Sequence, residues 1–198
     1  MDTSREEKLI LDCLTIDKDN SHALDALIKP GEAINWGNAV SLSGRHDVAS
    51  LLYASLSKSS FRENIPQDLF KLLKDGYFAN FYRNTILWTE FISISYSARE
   101  AGIALIPFKG IILSHLLYGD IGLRMFADMD ILVKQGDLPV IKGILINRGY
   151  RETIEKDGYL FGKSVNPGLY SYVELHLSFV PPRPNIIEIP HLWQNLRT

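Results

Sequence analysis

The chain has a single cysteine, Cys13. No intramolecular disulfide can form, and no cysteine cluster can hold zinc. Strong charge of either sign is also missing. The net charge is −2, which argues against a general attraction to nucleic acid or to an anionic membrane. No apolar run is long enough to span a bilayer. The N-terminus, "MDTSREEK", lacks the apolar core of a signal peptide. A cytoplasmic protein with no membrane partner is expected. Several motifs are missing too. There is no Ser-His-Asp arrangement, no G-x-G-x-x-G and no Walker loop. "DKDNSHALDALI" is not a calcium loop, because His22 stands where glycine is needed and Ile28 where glutamate is needed.

What is present is a globular composition, 46% hydrophobic and 22% charged, in a length that suits one domain or two small ones. Residues 1–100 read as helical. Ser4 and Glu7 form a possible capping box, and Leu9, Ile10, Cys13 and Leu14 an apolar stripe. "KPGEAINW" reads as a loop. Helical spacing runs from Trp36 to Lys58 with a break expected near Ser43-Gly44. A long helix is predicted from about Pro66 to Glu100, with Phe70, Tyr77, Phe78, Phe81, Tyr82, Trp88 and Phe91 as packing residues. The texture changes after Gly102. "IALIPF" reads as a buried strand, "KGIILSHLLYG" as a helix, "MDILV" as a second strand, and "DLPVIKGILINRG" as a helix closing on Gly149. "YRETI", "GYLFGKSV" and "LYSYVELHLSF" read as antiparallel strands, with turns at Gly158 and Asn166-Pro167-Gly168. The expected fold class is therefore α+β: a helical N-terminal half, then a minimal mixed sheet with flanking helices.

Three features converge on one edge of that sheet. Asp128 and Asp130 lie two apart, so on a strand they face the same side and make a hard-oxygen site suited to magnesium. Glu174 and His176 share a face in the alternating "YVELHLSF", and a third carboxylate joins the pair if this strand lies beside "MDILV". Lys109-Gly110 sits at a strand-to-helix junction, where a phosphate could approach the backbone. Each feature alone is weak. A D-x-D is commonly solvated surface, and a strand glutamate is usually exposed. The ordered conjunction is more specific.

"FKGIILSHLLYGDIGLRMFADMDILV" and "VELHLSF" resemble the uncharacterised nucleotidyltransferase family of the polymerase-β-like nucleotidyltransferase superfamily. The matching residues are Lys109-Gly110, Leu117-Tyr118, Arg124, Asp128-Met129-Asp130, Leu132-Val133 and Glu174-Leu175-His176. The chain departs from superfamily habit in carrying Lys-Gly for Gly-Gly or Gly-Ser, a longer spacing from Gly110 to Asp128, and Tyr118-Gly119-Asp120 for Tyr-Pro-Asp. The resemblance implies transfer of a nucleoside monophosphate from a nucleoside triphosphate, such as ATP, to an unknown hydroxyl-bearing acceptor, with two magnesium ions. Asp128, Asp130 and Glu174 would be catalytic and metal-binding. Lys109, Gly110, Arg124 and His176 would be the nucleotide-binding set. His176 has two open roles, orienting Glu174 or touching the acceptor, besides that of a plain strand histidine.

The acceptor is left open among a sugar or other small molecule, a protein side chain and a nucleic acid end, the last disfavoured by net charge. Two other classes compete. A D-x-D sugar transferase needs a β/α nucleotide-binding half before the motif, where this sequence reads as helices. A weakened binding or regulatory module on the same fold is the stronger rival. Three regions are expected: 1–100 helical, 101–180 the nucleotidyltransferase-like core, and 181–198 an apolar, proline-rich tail of a shortened protein.

Overall fold

A computed structural model of the chain describes residues 4–14, 34–154 and 159–178. The "DKDNSHALDALI" stretch, most of the "KPGEAINW" loop, the Gly158 turn and the 181–198 tail lie outside the described residues. The chain divides into two compact units, one of residues 1–85 with 113–125, the other of 86–112 with 126–198.

The first unit is helical. Helix α1 (Arg5–Cys13) opens on the expected capping box: the Ser4 hydroxyl accepts from the Glu7 amide, and the Glu7 carboxylate accepts from the Ser4 amide. Its buried stripe is Leu9, Ile10 and Cys13. Helices α2 (Trp36–Arg45) and α3 (Ala49–Leu56) follow. The break between them falls beyond Ser43-Gly44. Ser43 returns its hydroxyl to the Val40 carbonyl and stays helical. The chain turns instead at Asp47, which adopts a left-handed φ of 56°, a conformation that a short polar side chain tolerates. Leu9, Cys13, Ala39, Val40, Leu52, Leu56, Ile65 and Leu73 form this unit's core. Helix α4 (Gln67–Glu100) begins directly after Pro66. Phe78, Phe81 and Tyr82 on it are largely exposed, with the Phe78 and Phe81 rings against Tyr77.

The second unit is built on a five-stranded mixed sheet, order β1-β2-β5-β4-β3. Its elements are β1 (Ile106–Phe108), the start of α5 (Gly110–Leu116), β2 (Met129–Leu132), α6 (Leu138–Asn147), β3 (Arg151–Ile154), β4 (Tyr159–Asn166) and β5 (Leu169–His176). Strand β1 is shorter than "IALIPF" suggests. It is an edge strand containing Pro107, which has no N–H to give a ladder. Helix α6 closes at Gly149, whose φ of +86° is the left-handed stop that glycine takes freely. Strands β3, β4 and β5 pair antiparallel, as expected. Strand β2 pairs antiparallel with β1 and parallel with β5. Ile94, Ile111, Met129, Ile131, Val133, Ile141, Leu145, Phe161, Val173 and Leu175 lie in the core of this unit.

Candidate active site

Strand β5 sets the site's geometry. Ser171, Val173 and Leu175 are buried, while Tyr172, Glu174 and His176 are only half-buried. The period of two puts Glu174 and His176 on one face. In the parallel ladder, Asp130 of β2 stands opposite Glu174, and Leu132 opposite His176. On the other side of β2, Asp130 stands opposite Phe108 of β1. Asp130 is thus central to three adjacent strands and is 3% exposed. An ionised carboxylate so placed needs partners. Lys109 Nζ donates to Asp130 Oδ1 at 2.6 Å, and His176 Nε2 lies 2.9 Å from the same oxygen. His176 Nε2 is also 3.4 Å from Glu174 Oε2. The imidazole meets the Phe108 ring edge-on, centroids 4.8 Å apart.

Lys109 reaches Asp130 from a strained backbone. It is the single residue between β1 and α5, and its φ is 55°. For a side chain with a Cβ this costs on the order of 1–3 kcal/mol, and such strain gathers at functional sites. Gly110, next along, has a packing reason to be glycine: a Cβ there would lie 2.5 Å from Phe126 Cβ.

Charge within this cluster shifts the titrations. Burial pushes the Asp130 carboxyl up, but the hydrogen bonds from His176 and Lys109, with their positive charge, outweigh it. The group lies below the usual carboxylate range. Asp128 moves the other way, raised by burial and then by the negative charge of Asp130. Lys109 is raised, chiefly by its hydrogen bond to Asp130. The two carboxylates are thus shifted in opposite directions by their surroundings.

The structure brings Lys109, Asp130, Glu174 and His176 together. Asp128 sits half-buried in the bend just before β2. It is not among the three groups, Asp130, Glu174 and His176, whose ligand atoms all lie within 4.8 Å of one another. Arg124 belongs to the other compact unit. There its carbonyl accepts from Asn84 Nδ2 at 2.7 Å, and the same amide donates to the Ile121 carbonyl at 2.6 Å. Asp120 accepts from the Tyr77 hydroxyl and from the Gly122 amide. Asn84 and Tyr77 therefore anchor the turn that leads to Arg124. The sequence marks Tyr77 only as a packing residue, and Asn84 is one polar residue among many in this helix, with no local signal to single it out.

A helical N-terminal part followed by a small five-stranded mixed sheet is an α+β, nucleotidyltransferase-like fold. The model of the uncharacterised nucleotidyltransferase family matches residues 32–198, and the chain belongs to that family. No curated protein and no solved structure matches it. The family's chemistry implies a divalent ion, and the residues present fit one. Two carboxylates and an imidazole converge, and the Lys109 ammonium already places a cation on Asp130.

Proposed function

We propose that the protein transfers a nucleoside monophosphate from a nucleoside triphosphate to a hydroxyl group of a small molecule or a protein, in the cytoplasm. The observation that carries this reading is the register pairing of Asp130 with Glu174 on parallel neighbours, with Lys109 on the same carboxylate. In the reaction the acceptor oxygen attacks the α-phosphorus. The bond from that phosphorus to the bridging oxygen of the β-phosphate breaks, and pyrophosphate leaves. Glu174, half-buried on the accessible face of β5, takes the acceptor's proton. Lys109 has a side chain 55% exposed, so its ammonium can turn from Asp130 to a phosphate oxygen. The resemblance assigns the same charge-balancing task to Arg124 and to the Gly110 backbone. Divalent ions on Asp128, Asp130 and Glu174 would stabilise the charge on the attacking and leaving oxygens. The rest of the catalysis is positioning and fixed charge.

The test is incubation of the chain with each α-labelled nucleoside triphosphate, magnesium and a cell extract. A labelled product that appears with one nucleotide, and fails to appear with Asp130→Asn, supports the reading. Nucleotide that binds but is never transferred to any extract component favours a binding or regulatory module.

A further inference from the structure

His176 is the group to which that mechanism gives no task. Its position is well defined. The Phe108 ring packs edge-on against the imidazole, and Nε2 is directed at two carboxylates on two strands, 2.9 Å from Asp130 Oδ1 and 3.4 Å from Glu174 Oε2. Donors on adjacent corners of an octahedron with metal–ligand bonds of about 2.1 Å sit roughly 3 Å apart. Both separations are close to that spacing, and the ligand atoms of all three residues lie within 4.8 Å of one another, so a single ion can lie among them. The Lys109 ammonium on Asp130 is a separate sign that this oxygen is placed to hold a cation.

We infer that His176 Nε2 is a direct ligand of the ion on the Glu174 side of the site, together with Asp130 and Glu174, and that this ion is a first-row transition cation in preference to magnesium. This rests on the proposed function and deepens it. An imidazole nitrogen is a borderline donor, which magnesium takes poorly and the transition ions take readily. Asp128, outside the three-atom group, is left for the ion that travels with the nucleotide. His176 then belongs with the metal rather than with the acceptor.

The probe is manganese alone, titrated into the full chain and followed by electron paramagnetic resonance. The bound ion should show coupling to an imidazole nitrogen, altered when histidine is labelled with nitrogen-15. His176→Gln should lose that coupling and weaken manganese binding by about tenfold or more. His176→Asp, which keeps an oxygen in reach, should move the preference from manganese towards magnesium; it serves if the Gln variant does not fold. Bound manganese without nitrogen coupling in the native chain would overturn the ligand assignment and leave the metal-site reading standing. Coupling that survives in a folded His176→Gln variant would overturn it as well. No manganese binding at millimolar ion would sink both the assignment and the reading beneath it.

Discussion

A lysine held at a φ of 55° is a conflict between backbone preference and side-chain chemistry. Glycine would relieve the strain, yet only a long cationic side chain reaches the buried Asp130 carboxylate from this turn. Lys109→Ala and Lys109→Gly both remove that cation, so both should be less stable than the native chain and bind nucleotide more weakly. The glycine variant should nevertheless be more stable than the alanine variant by about 1 kcal/mol, since glycine adopts positive φ freely. Denaturant unfolding and calorimetry measure the two effects separately. Alanine equal to or better than glycine would mean that the turn is not left-handed. Glu174 is the complementary case, an acid beside the His176 imidazole. Glu174→Gln keeps size and hydrogen bonding and removes the charge. Nucleotide binding with magnesium should persist while transfer falls by roughly a hundredfold or more, the scale of one pre-placed electrostatic group. Full transfer activity in this variant would leave Glu174 a structural residue.

At the scale of elements, the legible features were those with a local cause. The capping box at Ser4, the start of α4 after Pro66, the glycine stop at Gly149 and the alternation in β5 are each visible within a few residues. The pairing of Glu174 with an aspartate was legible as a condition, that β5 lie beside β2, and the parallel register meets it. The D-x-D alternation was less informative. All four residues of β2 are buried and Asp128 precedes the strand, so a period of two cannot be read from burial there. Long-range hydrogen bonds were not legible at all. Asn84, 0% exposed, fixes the turn before Arg124 from 37 and 40 residues away, and nothing local marks it. Asn84→Ala should cost about 1–3 kcal/mol, because carbonyls lose their donor. Asn84→Asp should cost more, since a carboxylate cannot donate and would face the Ile121 and Arg124 oxygens. Urea unfolding at neutral pH ranks the pair, and an Asp variant as stable as the native chain would refute the clamp.

For the molecule as a whole, two separate cores raise the question of how each can be watched. Among the described residues no helix is long and apolar enough to cross a membrane, and the one cysteine lies in the helical core, 5% exposed. Burial pushes the Cys13 thiol up to about 12 from 9.0, against a hydrogen bond with Ser55 and with the help of the Asp12 charge. The folded pKa is therefore above the unfolded one. The neutral thiol's contribution is complete below pH 9.0 and is lost as pH rises towards about 12. Tyr77, also pushed up to about 12, acts in the same direction and the same unit. Two outcomes follow. At pH 8 the native thiol should react with a disulfide reagent far more slowly than in the urea-unfolded chain, at a rate that reports opening of the helical core. Between pH 9 and 11 the chain should lose stability, and Cys13→Val, which fills the site without a titrating group, should lose less. Equal alkaline losses in the two proteins would show that the thiol stays neutral or becomes solvated without strain on the fold, and that the alkaline sensitivity belongs to the tyrosines.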